Sequence, residues 1–201
     1  MRAAAGWAVW LLLAGCNPAA EPPARAPQPG ARAVPVVRDL GPSSFGGPET
    51  CFNATDDNGN LLLDEGCDVR QGDVHFMIAW PEAAVDVDLL VTDPSGSLAG
   101  PTVPSTLGLV LSDDCPRAGA ACNGQAFESV HLDRDDVPPG TYHVRVVVLD
   151  QGPPERPLLV RFGARLPGAG VAREIEFSRF AREFSMDFTV EDKAIVGSTS
   201  E

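Results

Sequence analysis

The chain has 201 residues and a formal net charge of −13, with 28 acidic side chains against 15 of lysine and arginine. Binding to nucleic-acid phosphates or to anionic membrane surfaces depends on clusters of lysine and arginine, and no such cluster is visible in the sequence. The composition therefore excludes a nucleic-acid-binding protein and favours solubility and the binding of cations.

The N-terminus, MRAAAGWAVWLLLAGCNP, has the pattern of a secretory signal. Arg2 supplies a positive charge before a short apolar stretch, residues 3–14, which falls short of the roughly 20 residues of a membrane-spanning helix. The stretch ends in the sequence LAGC, residues 13–16, which resembles the lipobox of bacterial lipoproteins. The alternative is an ordinary signal peptide that happens to contain a cysteine.

The lipobox resemblance implies that residues 1–15 are a signal peptide and that the mature chain begins at Cys16, whose thiol carries lipid. Several acyl chains would anchor the protein stably in a membrane, at about 0.8 kcal/mol for each buried CH₂ group. In that family an aspartate after the cysteine holds many members at the inner membrane. The residue here is Asn17, so the resemblance implies an outer-membrane lipoprotein that is periplasmic or surface-exposed.

Five cysteines are present, an odd number that becomes even once Cys16 is assigned to lipid. Export to an oxidising compartment favours two disulfides among the other four. Proximity in sequence favours Cys51–Cys67 and Cys115–Cys122 among the three possible pairings, and closing a loop of about 15 residues stabilises by roughly 3 kcal/mol. Zinc binding is the competing interpretation, and the absence of C-x2-C spacing argues against it.

Residues 16–48 are rich in proline, alanine and glycine and lack apolar periodicity. Such a segment cannot bury enough surface to offset its conformational entropy. It is predicted to be a disordered, lipid-anchored linker that separates the rest of the protein from the membrane.

The segment 49–68, ETCFNATDDNGNLLLDEGCD, contains six acidic residues and no lysine or arginine. Like charges at this density disfavour folding unless something neutralises them, and Ca²⁺ binds carboxylate, amide and backbone carbonyl oxygens. Aligned with a calcium loop that begins at Asp56, the segment has Leu61 at position 6, where such loops usually have glycine. The predicted ligands are Asp56, Asn58, Asn60, Asp64 and Glu65, together with the backbone carbonyl of Leu62.

Two alternatives remain for this segment. In a second register Gly59 occupies position 6 and Glu65 position 12, but position 1 becomes Ala54, which has no ligand atom in its side chain. The second alternative is that the segment is an acidic turn closed by the disulfide and binds no metal.

The same segment resembles the cysteine-bracketed metal-binding motif of secreted myxobacterial proteins and, more loosely, the calcium loops of thrombospondin type 3 repeats. The resemblance implies a metal site, and the leucine in place of glycine at position 61 implies weak affinity. The matching positions are Glu49, Cys51, Asn53, Asp56, Asp57, Asp64, Glu65 and Cys67.

Residues 72–192 alternate between apolar and polar side chains, which is typical of half-buried antiparallel strands. Turn sequences such as DPSGS and LPGAG separate the alternating stretches. The pattern predicts an all-β antiparallel sandwich of about eight strands, followed by a disordered tail at 193–201. The predicted strands are Val74–Trp80, Val85–Val91, Leu107–Leu111, Phe127–Leu132, Tyr142–Val148, Leu158–Leu166, Val171–Phe177 and Phe184–Val190.

Two local features qualify this prediction. Phe177, Phe180 and Phe184 have helical spacing, so a short helical turn at 178–183 is an alternative there. Tyr142 follows the turn PPG, and its hydroxyl is expected to bond the backbone of that corner, as in a tyrosine corner.

The stretch AWPEAAVDVDLLVTDPSG resembles an extracytoplasmic β-sandwich domain with a D-x-D-L strand, distantly like pre-peptidase C-terminal domains. The usual histidine after D-x-D-L is Leu90 here, so a role for that imidazole is absent. Asp86 and Asp88 lie on one face of a strand and, with Asp93 at the strand end, form a possible ligand site or second cation site. The alternative, which the pattern favours, is that they bond loop amides and keep an edge soluble.

Catalytic motifs are absent from the sequence. His75, His131 and His143 all fall in strand patterns, without a serine or cysteine elbow or an H-E-x-x-H motif. The predicted function is a non-catalytic envelope or surface module that binds a protein or a glycan. The alternatives are a carbohydrate-active enzyme that uses Asp86 and Asp88, and a purely structural spacer.

Overall fold

The computed structural model describes residues 33–41, 47–106, 108–115, 125–133, 136–150 and 156–191. The predicted signal peptide, Cys16, residues 17–32, Cys122 and the tail lie outside these ranges. In the described part of the chain, no helix is long and apolar enough to cross a membrane. The described strands are β1 Val36–Asp39, β2 His75–Ala79, β3 Asp86–Thr92, β4 Leu98–Ala99, β5 Ser105–Thr106, β6 Leu109–Cys115, β7 Phe127–Leu132, β8 Gly140–Asp150, β9 Leu158–Leu166, β10 Ala169–Phe177 and β11 Glu183–Val190.

These strands form two sheets. The larger sheet has the order β1-β10-β9-β2-β7-β6-β5, and the smaller sheet has the order β11-β8-β3-β4. Every strand pairing is antiparallel. The predicted all-β antiparallel sandwich is confirmed.

The main core lies between the two sheets and is filled by the inward-facing half of each alternating strand. On β3 the burial alternates residue by residue, so that every second side chain enters the core. At its centre the ring of Phe188 lies 5.4 Å from that of Phe76 and 5.8 Å from that of Phe162. These rings join β11 of one sheet to β2 and β9 of the other. Burial of each aromatic side chain stabilises the fold by about 1.5–3 kcal/mol.

The alternation located most strands well. β7 and β9 coincide with their predicted ranges, whereas β6 begins and ends later than predicted. Three strands of two to four residues, β1, β4 and β5, were not predicted, because so few residues cannot display a period of two.

The helical turn considered at 178–183 is wrong. The N–H of Ser178 donates to the carbonyl of Ala181 at 3.1 Å, and the N–H of Ala181 donates back to the carbonyl of Ser178 at 3.0 Å. This tight turn reverses the chain from β10 in one sheet to β11 in the other, and the strand connection overrides the helical spacing of the phenylalanines.

Strand β1 falls inside the segment that composition predicted to be linker. It pairs with β10, and its Val37 packs against the main core. The guanidinium of Arg38 donates to Glu174 at 3.1 Å and to Glu176 at 3.5 Å. Residues 16–48 are therefore not linker throughout, because four of them extend the edge of the larger sheet.

Tyr142 occupies the predicted corner. It is fully buried, and its hydroxyl donates to the carbonyl of Pro138 at 3.1 Å. This bond joins the start of β8 to the preceding turn, as in a tyrosine corner.

Candidate calcium site and neighbouring polar clusters

The cysteine loop, residues 49–68, packs as an additional layer on the outer face of the larger sheet. Its buried residues Ala54, Leu63 and Cys67 contact Met77 of β2 and other apolar side chains of β2 and β7 in a second, smaller core. The approach is close at Gly163 of β9, where a β-carbon would lie 2.3 Å from the carbonyl oxygen of Ala54. Glycine is therefore required there if the loop is to lie on the sheet.

A disulfide between Cys51 and Cys67 closes the loop, as predicted from their proximity. Cys115, at the end of β6, is also disulfide-bonded. Its pairing with Cys122 stays a prediction, because Cys122 lies outside the described residues.

Asp64 was predicted to be a ligand, but its carboxylate holds the loop backbone together. It is fully buried, and it accepts N–H bonds from Asn53 at 3.2 Å and from Ala54 at 3.0 Å. Burial raises the pKa of this carboxyl to about 6, against the smaller lowering effect of the bonded amides. The sequence showed the acid but could not show that the turn at residues 53 and 54 would occupy it.

Asp56 also caps backbone amides, at the place predicted for the first residue of a calcium loop. Its carboxylate accepts the N–H groups of Gly59 at 2.6 Å, Asn60 at 3.1 Å and Leu61 at 2.8 Å. Leu61, at position 6, has a φ of 68°, in the left-handed region that favours glycine. The backbone thus adopts at position 6 the conformation that calcium loops need, in spite of the leucine.

Three predicted ligands do meet in the loop. The side-chain amides of Asn58 and Asn60 both donate to one carboxylate oxygen of Glu65, the second at 2.6 Å. The other oxygen of Glu65, Oε2, is buried and has no hydrogen-bond partner within the described residues. Leu62 takes part through its N–H, which donates to Oδ1 of Asn60 at 2.8 Å.

Glu49 is a fourth side chain at this place, and the predicted ligand set omitted it. Its Oε1 accepts the N–H of Asp57 at 3.0 Å and that of Asn58 at 3.2 Å. Its Oε2, like that of Glu65, is buried without a partner in the described part of the chain. Burial and then the charge of Glu65 raise the pKa of Glu49 to about 7. The signal in the sequence was its place in the resemblance motif, two residues before Cys51.

This arrangement fits a hard cation only in part. Within the described ranges, no three side chains of His, Cys, Asp or Glu are grouped so that they alone could hold a metal. Ca²⁺ also accepts amide and backbone oxygens, so Glu49, Glu65 and the two asparagines form the oxygen-donor set that fits best. Both asparagines point N–H groups at Glu65, so an ion would require their amides to turn.

A second acidic cluster lies where β3 approaches β6 and β7. Glu128 is 1% exposed, and its Oε2 accepts the N–H of Leu89 at 2.6 Å across the two sheets. Burial raises its pKa well above the ordinary value, with contributions from Asp114, Asp88 and Asp86. Burial, followed by the charges of Asp86 and Asp114, raises the pKa of Asp88 to about 6.

Sequence reasoning found only half of this cluster. Asp86 and Asp88 were candidates because they share a strand face, whereas Glu128 and Asp114 were not considered. The available signal in the sequence was that Glu128 lies two residues before Val130 and four before Leu132, so that all three side chains point from β7 to the same, inward face of the sheet. Asp93 is not shown to belong to the cluster, since its Oδ1 caps the turn after β3 by accepting the N–H groups of Ser95 and Ser97, each at 2.9 Å.

The histidines differ in their surroundings. His75 is fully buried, and its Nε2 lies 2.8 Å from the hydroxyl of Ser129. Burial, then the neighbouring His131 and Arg165, lowers the pKa of His75 to about 3. Although this is a serine–histidine pair, both side chains are completely buried, so no substrate reaches them. His143 is exposed and lies 2.7 Å from a carboxylate oxygen of Asp187.

A pocket of about 340 Å³ opens between the cysteine loop and the larger sheet. Its walls are mostly apolar, with the side chains of Arg161 and Glu174 on one side. Trp80 contributes to the wall but is only 5% exposed, and its indole N–H donates to the carbonyl of Val85 at 3.0 Å. The full lining is Phe52, Asn53, Ala79, Trp80, Pro81, Leu159, Arg161 and Glu174.

No protein-family model, no curated protein and no solved structure matches the chain. The lipobox, the metal-binding motif and the D-x-D-L domain therefore stay resemblances, and function is argued from the residues and their geometry.

Proposed function

We propose that the protein is a lipid-anchored, non-catalytic module of the bacterial cell envelope or surface, with a weak Ca²⁺ site in its cysteine loop. The observation that carries the calcium proposal is the pair of buried carboxylate oxygens, Oε2 of Glu49 and of Glu65, that lack partners within the described residues. A buried polar atom without a partner is costly, and a bound cation removes that cost.

The donor chemistry favours Ca²⁺ over zinc. Cys51 and Cys67 are joined in a disulfide, so neither offers a thiolate to a soft metal. The remaining donors are carboxylate and amide oxygens, the ligands of hard cations. Affinity in the range of about 10⁻⁴–10⁻³ M, as in extracellular calcium modules, is the expectation.

Calorimetry on the mature, oxidised chain tests the site. Ca²⁺ should release heat and raise the melting temperature slightly, because occupancy at twice the dissociation constant adds only about 0.65 kcal/mol. Glu65→Gln and Glu49→Gln should each abolish both effects. Asp68→Asn removes one negative charge at an exposed residue just outside the disulfide and is the matched control. If Ca²⁺ neither releases heat nor raises the melting temperature of the unaltered protein, the metal-free acidic turn is the correct interpretation.

The lipid anchor is tested separately. Palmitate labelling and fractionation should place the protein in the membrane fraction, and Cys16→Ala should release it. A Cys16→Ala protein that still fractionates with membranes would reject the anchor while leaving the calcium site untouched.

The sandwich is proposed to bind a protein rather than a glycan. Glycan sites commonly present exposed aromatic faces, whereas the ring of Trp80 is buried and its N–H is bonded to the backbone. The pocket beside the cysteine loop, with Arg161 at its wall, offers apolar surface and a cationic side chain to a peptide. A pull-down from envelope extract, compared with a glycan array, separates the two partners, and failure of both favours a structural spacer.

A carbohydrate-active enzyme is the second candidate, favoured by the raised pKa of Asp88 beside Asp86. A carboxyl with a raised pKa close to a second carboxyl is the arrangement of a general acid with its partner. Hydrolysis of any glycoside that is lost in Asp88→Asn would establish this activity. We expect none.

A further inference from the structure

One corner of the sandwich differs in character from the rest of the acidic molecule. The turn between β10 and β11 carries Phe180 at its tip, 70% exposed, with the guanidinium of Arg179 4.4 Å from the centre of its ring. Arg182, two residues later, is also exposed. The turn thus presents an exposed apolar ring and two cationic side chains together.

The strand register brings more residues of the same kind to this corner. Val36 pairs with Glu176, so the residues before it lead towards the end of β10 and the Phe180 turn. Val34 and Val36 are 77% and 55% exposed. Leu158 pairs with Phe177, which places the exposed Arg156 at the same end of the sheet. We call Val34, Val36, Arg156, Arg179, Phe180 and Arg182 the Phe180 corner.

The charge at this corner is locally positive. Within the described ranges, none of its three arginines forms an ion pair with a carboxylate. The nearby Glu174 and Glu176 both accept from Arg38, and Glu183 accepts from Arg145. The acidic cluster lies on other strands. Glu128 on β7 is three strands away from β10, about 14 Å, and Asp86 and Asp88 on β3 are two strands away from β11, about 10 Å. Both separations exceed the screening length of about 8 Å at physiological salt.

The chain that carries the proposed anchor enters the sandwich at this corner. Residue 33, the first described residue, leads directly into Val34 and β1. Sixteen residues lie between Cys16 and residue 33, and a chain of that length spans at most about 60 Å. Covalent attachment at one corner keeps that corner near the membrane at a high effective concentration.

We propose that the Phe180 corner contacts the surface of an anionic lipid bilayer, with the phenylalanine and valines at the acyl boundary and the arginines at the phosphates. The orientation, though not the chemistry of the corner, rests on the proposed lipid at Cys16. Basic side chains beside anionic lipid and an apolar residue inserted between headgroups reinforce a lipid anchor as a second binding element. No cluster of lysine and arginine for such a surface is visible in the sequence, because the three arginines of this corner come together only in the fold.

The test measures the depth of position 180 in a bilayer. The mature chain is coupled through the Cys16 thiol to a maleimide lipid in vesicles of phosphatidylethanolamine and phosphatidylglycerol, so that cellular lipidation is not required. In the variant Phe180→Trp, quenching of the tryptophan fluorescence by bromine-labelled acyl chains reports how deeply position 180 enters the bilayer. Ala169→Trp, at the exposed turn that begins β10 at the opposite end of the strand, is the matched control, and buried Trp80 gives the same background in both.

Tryptophan at position 180 should be quenched several-fold more than tryptophan at position 169. The difference should shrink when phosphatidylcholine replaces phosphatidylglycerol, or when Arg156, Arg179 and Arg182 are all changed to glutamate. Equal quenching at the two positions would overturn the proposal, as would a photo-crosslinker at position 180 that labels a protein instead of lipid. Failure of palmitate labelling at Cys16 in cells would reject the natural anchor alone.

Discussion

The sandwich interior and the cysteine loop are stabilised by different interactions. The interior is a continuous apolar core in which both sheets contribute buried valines, leucines and aromatic rings. The loop has a small apolar contact with the outer face of the larger sheet, and it depends on a disulfide and on carboxylates that cap its own backbone amides. We therefore expect the interior to respond to packing changes, and the loop to respond to redox state and to cations.

The largest effect is expected in the interior. Phe162→Ala removes a ring that contacts both Phe76 and Phe188, and such changes cost about 3–5 kcal/mol. Urea unfolding measures the loss. Phe180→Ala removes the same ring from an exposed position and should stay within about 0.5 kcal/mol. Comparable losses in the two variants would show that the core does not dominate stability.

The next effect belongs to the loop. Replacing both Cys51 and Cys67 by serine opens a loop with a sequence separation of 16 and should cost about 3 kcal/mol. Hydrogen exchange should accelerate in residues 49–68 while β8 and β11 keep their protection. Cys16→Ser controls for the loss of a cysteine. If β8 and β11 lose protection equally, the loop and the sandwich form one cooperative unit.

A third effect concerns acid. His75 is buried and neutral, with a pKa of about 3, below its ordinary value. Between about pH 3 and the ordinary value, the unfolded chain therefore binds a proton at His75 and the folded chain does not. The contribution of neutral His75 to the free energy of unfolding is fully present above about pH 6.5, the ordinary pKa of histidine. It decreases as the pH falls, by about 2 kcal/mol at pH 5. Asp64 and Asp88, whose pKa values are raised, contribute in the opposite direction between about pH 4 and 6.

The difference between variants isolates this effect. His75→Gln should flatten the dependence of melting temperature on pH in that range. Parallel profiles for the unaltered protein and His75→Gln would mean that His75 is not the source.

A smaller effect is expected at the contact between the two regions. Gly163→Ala places a β-carbon against the carbonyl of Ala54 and forces the loop away, at about 1–2 kcal/mol. Gly47→Ala, where a β-carbon meets nothing within 4 Å, is the matched control. Hydrogen exchange in the loop reports the displacement, and unchanged loop protection in Gly163→Ala would contradict the described packing.

The same division explains what could be predicted from sequence. Alternation gave the sandwich, because a period of two is read directly from residues such as those of β3, β8 and β11. It missed β1, whose four residues lie in a proline-rich segment, and it mistook the Ser178–Ala181 turn for a possible helix. The composition of residues 49–68 identified the acidic loop, and the proximity of Cys51 and Cys67 in the sequence predicted its disulfide.

The individual roles of the loop acids could not be predicted. Whether Asp64 faces an ion or the amides of residues 53 and 54 depends on a backbone that only the folded loop displays. Glu49 comes close to Glu65 through the same folding, and Glu128 reaches Leu89 across two sheets. Such contacts have no counterpart in local spacing.

The most direct test of the central claim is hydrogen exchange of the oxidised, mature chain with and without millimolar Ca²⁺. The account predicts slower exchange in residues 49–68 alone, of about threefold at twice the dissociation constant, and no change in β8 and β11. Glu65→Gln should remove the effect, and Asp68→Asn should keep it. Equal exchange in the loop with and without Ca²⁺ would contradict the account.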